Sequence, residues 1–336
     1  MRLYLQFGHG MMDHTATLLE EWGDGGVLLS PRDLDDAQLS KMAKRLRKIS
    51  AEVLLDPQCF VRDADHYRLT EHEYWKVYKD CSTGSIVTGE GAARLIKSIA
   101  ELNQRLEAGR FVIPGLLASE VTNEWCAFHE QLVDAAASQL PKASLIATLA
   151  LSSAAVKDES QVEALIERVA SWPVGAFYVV PEAPSSYLVD DPVWVANVLI
   201  LTSGLKLLGR EVLVGYGNHQ LLALAAAGVD GMASGTWLNV RAFPVEKFYT
   251  PEDQVSRRAL WYYCPQALSE YKIPFLDLAQ RNGVLDLMRP APPIFVRRTV
   301  VHGCRADHGQ MGRTKRFSTL PHLSSSAGAT RDGQQF

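Results

Sequence analysis

Residues 51–60 read AEVLLDPQCF, a short apolar run that ends abruptly in an acid, a proline and an amide. The apolar residues follow one another instead of alternating with polar ones, which is typical of a parallel strand covered on both faces. Acid and proline both favour turns, so the run also ends as a strand would. This stretch therefore predicts a buried parallel strand whose carboxyl end presents Asp56 and Gln58.

Seven more apolar runs along the chain have the same character. The eight runs are RLYLQF (2–7), GVLLS (26–30), EVLLD (52–56), RFVIPG (110–115), SLIATLALS (144–152), AFYVVPE (176–182), EVLVGYG (211–217) and GMASG (231–235), with amphipathic stretches at 35–48, 88–108, 158–170 and 190–208. Eight strands that alternate with helices predict a (β/α)8 barrel of the TIM type. An open doubly wound sheet is the alternative, which the strand count disfavours.

Length and composition are typical of a globular protein with a large core. The chain has 336 residues, of which 47% are hydrophobic and 21% charged. We expect a catalytic barrel over residues 1–290, ending in a helical segment, and a basic tail or partial appendage over 291–336. No apolar run approaches the roughly 18 residues of a membrane span, and the start of the chain lacks the apolar core of a signal peptide, so a cytoplasmic location is expected. Five scattered cysteines favour reduced thiols over a disulfide framework.

Charge is unevenly distributed along the chain. The net charge is −4, but the segment from Val296 onward has seven Lys or Arg and two Asp, which makes it +5 and leaves −9 on the residues before it. The overall charge therefore does not indicate nucleic-acid binding. The basic tail could supply sequence-independent phosphate contacts, although its SSSAG stretch and weak apolar periodicity are more typical of a solvated, poorly ordered segment.

The polar residues that follow the predicted strands would meet on one face, because the loops after the strands of such a barrel build its active face. The two acids nearest a strand end are Asp56 and Glu182. The other candidate site residues are His9, Arg32, Gln58, Glu120, Tyr216, Asn218, His219, Ser234, Trp237 and Arg241. Each alone is commonly a cap or turn residue, but together they predict a polar pocket.

Residues 211–237, EVLVGYGNHQLLALAAAGVDGMASGTW, resemble the end of the barrel in the tRNA-guanine transglycosylase superfamily, where a G-[IV]-D turn leads into the last strand. VLLDPQ (53–58) stands where that family has a strand ending in Asp before a Gly-Gly-Phe-Gln segment, and VVPE (179–182) where it has a strand ending in Val-Gly-Glu. The resemblance covers most of residues 1–290.

The segments YLQFGHGM (4–11) and SPRDL (30–34) are more similar to DNA-acting relatives in that superfamily. Those relatives include enzymes that insert deazaguanines into DNA, and bacterial defence glycosylases that excise glucosylated hydroxymethylcytosine from phage DNA. The resemblance to the second group implies a DNA glycosylase acting on a modified base in double-stranded DNA as an anti-phage defence.

Two departures from the family pattern bear on the reaction. The transglycosylases have a nucleophilic aspartate in the last strand, where this chain has Ala233 beside Ser234. Base exchange depends on a covalent sugar intermediate, so this loss favours hydrolysis. The family's zinc cluster is also missing, and the spacing of Cys264, His302, Cys304 and His308 fits no standard site. We therefore expect neither a metal nor a cofactor.

Cleavage of an N-glycosidic bond passes through a cationic, oxocarbenium-like sugar, which requires a carboxylate near the anomeric carbon and a positioned water. Asp56 is the predicted principal carboxylate, and Gln58 could orient water or a base edge. Glu182 is the second carboxylate, as an acid to the leaving base or a binder of its exocyclic amine. The two acids could exchange these roles.

A base in duplex DNA must be turned out of the stack before it can react. Candidate stacking surfaces are Tyr216, Trp237 and Phe60, of which Phe60 could equally be packed in the end of the barrel. His9 and His219 could grip a phosphate or sugar hydroxyl. Arg32 and Arg241 could bind phosphate through two parallel hydrogen bonds, or pair with a neighbouring acid.

Two segments follow strands closely enough to reach the pocket. RDADHYRLTEHEYWKVY (62–78) predicts a lid or strand-gripping element with a short helix near 71–78. SEVTNEW (119–125) brings Glu120 and Asn123 near the mouth, but it is also typical of a helix start.

No lysine directly follows any predicted strand, and strand-cleaving glycosylases need an amine for a Schiff base. The sequence therefore predicts base removal that leaves an abasic site without strand cleavage. Three alternatives stay open: a base-exchanging DNA or tRNA-guanine transglycosylase, a non-catalytic nucleic-acid-binding barrel, and an unrelated (β/α)8 hydrolase.

Overall fold

The computed structural model describes residues 1–8, 11–184, 189–235, 240–243, 245–250, 261–264, 266–267 and 269–288. The chain divides into two compact units. The first consists of Met1–Ser234 and Asn239–Glu252, and the second of Gly235–Leu238 and Asp253–Phe336.

The first unit contains one sheet of parallel strands. Its strands are β1 (Arg2–Gln6), β2 (Gly26–Leu29), β3 (Glu52–Leu55), β4 (Phe111–Ile113), β5 (Leu117–Ala118), β6 (Leu145–Leu151), β7 (Ala176–Pro181), β8 (Glu211–Val214) and β9 (Gly231–Ser234). The strand order is β3-β2-β1-β9-β8-β7-β6-β4, and the short β5 pairs with β6 beyond the end of β4. All eight predicted apolar runs form strands of this sheet.

Helices connect the strands. They are α1 (Met12–Trp22), α2 (Asp36–Lys48), α3 (Tyr67–Glu71), α4 (Glu73–Asp80), α5 (Thr83–Val87), α6 (Glu90–Arg105), α7 (Asn123–Gln139), α8 (Ser153–Lys157), α9 (Glu159–Val169) and α10 (Pro192–Leu207). The chain also forms 3-10 helices at Lys142–Ser144, His219–Ala227 and Val245–Phe248. The four predicted amphipathic stretches are confirmed as α2, α6, α9 and α10.

The sheet curls into a nearly closed barrel of eight parallel strand positions, so the predicted (β/α)8 barrel is confirmed and the open doubly wound sheet is not. Strands β3 and β4 lie next to each other, but the ladder between them is not formed. We call this gap the seam. The fourth strand position is interrupted between β4 and β5, where Pro114 has no N–H to donate to a ladder.

The interior of the barrel is filled by side chains from these strands. All residues of β6 and β7 are buried, as expected for strands covered on both faces. Tyr4 of β1 lies between two glycines of the neighbouring strands: a Cβ atom on Gly26 would lie 2.6 Å from its ring, and one on Gly231 would lie 2.8 Å from it. Glycine at both positions therefore allows the large ring to fill the barrel.

The amino end of the barrel is closed by an ionic network. Glu52 accepts hydrogen bonds from Arg2 Nη1 (2.6 Å), Tyr4 Oη (2.7 Å) and Arg110 Nε (2.7 Å), and Arg110 also pairs with Glu211. Burial and the bond to Glu52 raise the pKa of Tyr4 to about 12. These groups line a cavity of about 360 Å³. Because their charges are paired with one another, the network stabilises the face opposite to the one expected to carry function.

Side-chain caps fix where several helices begin. Asp35 and Gln38 form a reciprocal capping box at the start of α2. Thr122 accepts a hydrogen bond from Trp125 N at the start of α7, which confirms the helix start predicted for 119–125. Asp191 caps α10, whose first residue is Pro192.

The second unit has its own small core. Strands β10 (Trp261–Cys264) and β11 (Ser269–Lys272) pair in antiparallel fashion and precede α11 (Ile273–Arg281), the predicted helical C-terminal segment, and a 3-10 helix at Leu285–Met288. The buried core residues are Tyr262, Cys264 and Leu276. Residues 291–336, predicted as a basic tail, lie outside the described residues.

Two further observations concern the described part of the chain. None of its helices has the length and apolar character required to span a bilayer. Cys59, Cys81, Cys126 and Cys264 are buried thiols that form no disulfide with one another; Cys304 lies outside the described residues.

Candidate active site

The carboxyl group of Asp56 lies at the carboxyl end of β3 and is almost completely buried, with 1% of the residue exposed. Its Oδ1 accepts a hydrogen bond from Gln58 N (3.0 Å). Its Oδ2 lies 3.2 Å from Tyr178 Oη, 3.3 Å from Tyr216 Oη and 3.4 Å from Gln6 Nε2. These donors come from β1, β7 and the loops after β3 and β8, so several strands of the barrel converge on one acid.

Two opposing effects set the acidity of this group. Burial disfavours the charged form, whereas the Gln58 N–H, the nearby Lys247 ammonium and the two tyrosine hydroxyls favour it. Burial dominates and raises the pKa of Asp56 to about 6. A carboxyl group poised near neutral pH, at the functional end of a barrel, is typical of a catalytic acid or base.

Strained backbone lies on both sides of this acid. Gln58 and Tyr216 have positive φ angles of 56° and 53°, in the left-handed region that non-glycine residues rarely adopt. Gln58 Nε2 lies 3.4 Å from Tyr216 Oη, so the two strained residues are also in contact. Strain of this kind persists where surrounding contacts hold it, and it is concentrated at functional sites.

Aromatic residues of α4 hold the loop after β3 in place. Tyr74 Oη donates to Pro57 O (2.9 Å), and Tyr78 Oη donates to Cys59 O (3.0 Å). Both tyrosines and Trp75 are only 1% exposed. The short helix predicted near 71–78 is therefore confirmed as α4, and its buried aromatic face contacts the loop after β3. The lid or strand-gripping role of residues 62–78 stays a prediction.

Arg32 and Gln58 lie in a polar network beside Asp56. Gln58 Oε1 accepts hydrogen bonds from Ser30 Oγ (3.1 Å) and Arg32 N (3.0 Å). The Arg32 guanidinium pairs with Asp33 (2.8 Å) and donates from Nε to Lys247 O (2.6 Å). Arg32 thus pairs with a neighbouring acid, the alternative to a phosphate fork, and its Nε anchors the segment that carries Lys247.

Lys247 is a site residue that the sequence did not indicate. It belongs to the 3-10 helix Val245–Phe248, and its Nζ lies 3.7 Å from the centroid of the Tyr216 ring. Burial and the Arg32 charge hold the pKa of Lys247 well below its ordinary value, although Asp33 and Asp56 oppose that shift. It does not directly follow a strand, because it lies well beyond the end of β9 at Ser234.

The other side chains near Lys247 are aromatic. Phe60 packs against Phe243 and Phe248, with ring centroids 4.9 and 5.4 Å apart. Only 2% of Phe60 is exposed, so it forms part of this packing and does not offer a stacking face for a base. Tyr216 packs edge-on against Phe243, at 5.1 Å between centroids.

Glu182 and Glu120 lie apart from the hydrogen-bond network of Asp56. Glu182 follows β7 and is half-buried, and its Oε2 accepts a hydrogen bond from Ser153 N (2.9 Å) at the start of α8. Glu120 is exposed after β5. Within the described residues, no hydrogen bond links either acid to Asp56.

Four other candidates lie after β8, at the end of β9 or beyond it. Asn218 is buried, and its Oδ1 caps the 3-10 helix His219–Ala227 by accepting from Gln220 N (2.9 Å). Burial and the charge of the largely buried Arg241 lower the pKa of His219. Ser234 is half-buried at the end of β9, next to the fully buried Ala233.

Some predictions fall on residues that the structure does not describe. These are His9 and Trp237 as binding residues, and His302, Cys304 and His308 as possible zinc ligands. In the described ranges, no group of three or more His, Cys, Asp or Glu side chains is arranged to hold a metal ion.

No protein-family model matches the chain, and no curated protein sequence matches it either. Solved structures share a likeness over 69% of the chain. They include a protein named CutC from Streptococcus agalactiae (13% identity, 97% of that chain, TM-score 0.41), an HpcH/HpaI aldolase from Desulfitobacterium hafniense (9%, 85%, 0.39) and the homocysteine methyltransferase MmuM from Escherichia coli (13%, 91%, 0.38). None of the three is named as a transglycosylase or glycosylase. Likenesses this remote bear on neither substrate nor mechanism.

Proposed function

We propose that the protein is a DNA N-glycosylase that hydrolyses the bond between deoxyribose and a modified base and leaves an abasic site. Glucosylated hydroxymethylcytosine in phage DNA is the leading substrate, and anti-phage defence in the cytoplasm the leading context. The observation that carries the proposal is the Asp56 carboxyl group, buried where the strands end and surrounded by donors from four parts of the barrel.

The ionised form of Asp56 suits the electrostatic part of this reaction. As the base departs, positive charge develops at C1′ and the ring oxygen of the sugar, and a fixed carboxylate in a buried site stabilises it strongly. With a pKa of about 6, Asp56 is mostly ionised at neutral pH. Its hydrogen bonds hold it in one place, so little reorganisation is needed when the charge forms.

The residues at the end of β9 favour hydrolysis over base exchange. Ala233 is completely buried and has no nucleophilic atom, and its neighbour Ser234 carries a hydroxyl instead of a carboxylate. The end of β9 therefore supplies no carboxylate that could form a covalent glycosyl intermediate for an incoming base to displace. In this proposal water is the acceptor of the sugar, and Gln58, whose backbone N–H bonds to Asp56, is the residue assigned to orient it.

Glu182 has the second role in the proposal. It lies at the end of β7, where it can protonate the leaving base or accept a hydrogen bond from the exocyclic amine of cytosine. Because the proposed substrate is double-stranded DNA, the target nucleotide must be turned out of the base stack, which costs a few kcal/mol. Contacts to the extruded base and its attached sugar would offset that cost.

The test is incubation of the protein with three duplexes that carry ordinary, hydroxymethylated or glucosylated cytosine. We expect abasic sites, counted with an aldehyde-reactive probe, and released base, identified by mass spectrometry, from the glucosylated duplex. Asp56→Asn should abolish both products, and Asp134→Asn, a change at an exposed position of α7, should leave them unchanged.

Other outcomes would select another function. Incorporation of labelled free base without abasic sites would establish base exchange. DNA binding with neither product, on any of the three duplexes or on deazaguanine-containing DNA, would indicate a non-catalytic barrel. Full activity of Asp56→Asn would remove Asp56 from the mechanism.

A further inference from the structure

The position of Lys247 raises a second question about the reaction, because an amine in this place is not needed for hydrolysis. Its Nζ is surrounded by the rings of Tyr216 (3.7 Å), Phe248 (5.1 Å) and Phe243 (5.7 Å). Within the described part of the chain it forms no ion pair with a carboxylate and no hydrogen bond. A surface lysine that served only solubility would extend into water or pair with an acid.

The segment that carries Lys247 is anchored to the loop after β3. His66 N donates to Phe248 O (3.0 Å), and Thr250 N donates to Asp65 Oδ1 (2.6 Å). Arg32 Nε donates to Lys247 O (2.6 Å). These contacts fix the amine on the same side of the barrel as Asp56.

Tyr216 connects the amine and the acid directly. One face of its ring contacts Nζ, while its hydroxyl lies 3.3 Å from Asp56 Oδ2. The charged groups that act on the amine are Arg32, Asp33 and Asp56. Burial and Arg32 lower the pKa of Lys247, so a larger share of its side chain is the neutral, nucleophilic amine at physiological pH than for an ordinary lysine.

We propose that Lys247 is a catalytic amine that captures the abasic deoxyribose as a Schiff base and thereby cleaves the DNA strand. The inference rests on the proposed function, because its substrate is the product of base excision. It replaces the expectation that the DNA strand stays intact. That expectation depended on the absence of a lysine directly after a β-strand.

Each step balances without an oxidant or reductant. The Nζ lone pair attacks C1′ of the ring-opened aldehyde, and the carbinolamine loses water to give an iminium ion. The Asp56 carboxylate takes a proton from C2′, and the electron pair forms the C2′–C3′ double bond as the C3′–O bond to phosphate breaks. Water then hydrolyses the imine, which releases an unsaturated aldehyde on one DNA end and a 5′-phosphate on the other, and restores the amine.

The experiment uses the full chain and a duplex with one abasic site made in advance, so that base recognition is not required. Sodium borohydride reduces an imine to a stable amine, and the expected result is a covalent protein–DNA adduct on a denaturing gel, with the attachment mapped to Lys247 by mass spectrometry. Without borohydride, the same duplex should be nicked.

Three variants complete the test. Lys247→Met and Lys247→Arg should both lose the adduct and the nick; the arginine keeps the positive charge and so controls for DNA binding and folding. Lys76→Met, at an exposed lysine of α4, should retain both. Absence of an adduct with the wild-type protein, an undiminished adduct in Lys247→Arg, or attachment to another lysine would overturn the proposal. Since the abasic site is supplied, these results are independent of whether any modified base is excised.

Discussion

At the scale of single residues, Asp56 shows how a barrel can hold an acid near neutral pH. Complete burial alone would push the pKa of a carboxyl group much higher. The N–H of Gln58 and the hydroxyls of Tyr178 and Tyr216 favour the ionised form and limit the rise to about 6. The local structure therefore determines which form of the acid predominates near neutral pH.

We expect Asp56→Asn to stabilise the protein at neutral pH. The folded pKa of about 6 lies above the ordinary 3.8, so the folded state binds the proton more tightly and the free energy of unfolding falls as pH rises from about 4 to 6. Asparagine cannot ionise, and the variant should gain up to ~3 kcal/mol over wild type at pH 7.5. Urea denaturation at pH 4.5 and 7.5 measures this. A variant destabilised at pH 7.5 would mean that the carboxylate stabilises the fold.

Tyr216→Phe tests the hydrogen bond to the acid. Removing the hydroxyl takes away a donor that favours the ionised carboxylate, so the pKa of Asp56 should rise above 6. If the proposed glycosylase activity is present, the acidic limb of its pH profile should move to higher pH by about one unit, which corresponds to the loss of a hydrogen bond to a charged group. Tyr249→Phe, whose hydroxyl bonds to the exposed Asp63, is the matched control. An unmoved profile would show that Tyr216 does not tune the acid.

At the scale of secondary-structure elements, the site depends on contacts between neighbouring strands. Tyr178 extends from β7 into the barrel and reaches Asp56, and Gly215, just after β8, leaves the space for its ring. Helix α4 supports the loop after β3 through two tyrosine hydroxyls. The geometry around the acid is therefore set by elements far apart in the sequence.

Gly215→Ala should disturb this arrangement. A Cβ atom at this position would lie 2.5 Å from the Tyr178 ring and hydroxyl, closer than any real contact, so the ring must shift away from Asp56. Overpacking of this kind destabilises by about 1–3 kcal/mol, and activity should fall with it. Gly109→Ala is the control, because a Cβ there meets nothing within 4 Å. Equal stability of the two variants, measured by thermal unfolding, would contradict the expectation.

At the scale of the whole molecule, the charge distribution separates the described barrel from the segment after it. Residues before Val296 carry −9, which repels a polyanion, and the residues from Val296 onward carry +5. If the substrate is duplex DNA, the basic segment can supply sequence-independent phosphate contacts.

The basic tail should therefore have a salt-dependent effect on DNA binding. Changing Arg313, Lys315 and Arg316 to Gln in the full chain should weaken binding to every duplex alike. The slope of the logarithm of the binding constant against the logarithm of salt concentration should become shallower by roughly 2–3, because each phosphate contact contributes about 0.9. Fluorescence anisotropy between 50 and 200 mM salt measures the slope. Arg45→Gln, at the surface of α2, is the control. An identical slope would exclude the tail from binding.

The sequence was sufficient for the barrel and for part of its site. Continuous apolar runs identified the strands because both faces of each strand are covered, and Asp56 and Gln58 followed directly from the end of one of them. Lys247 could not be found this way, because it reaches the site by folding back from beyond β9. The lid or strand-gripping role expected of residues 62–78 does not extend to Tyr74, Trp75 and Tyr78, which have helical spacing and form a buried face, a signal that is present in the sequence.

The seam has a consequence for the acid beside it. Glu52 N donates to Gly25 O, just before β2, and Asp56 N donates to Leu29 O of β2. The alternate amides of Val53 and Leu55 therefore point toward β4, with which β3 forms no ladder. β3, which Asp56 directly follows, is thus hydrogen-bonded along one edge only, as is β4 on the other side of the seam, whereas the strands between them in the sheet order are bonded along both edges. β3 and β4 can therefore move apart without the loss of a row of interstrand hydrogen bonds, so within the described barrel the seam is where the wall resists separation least.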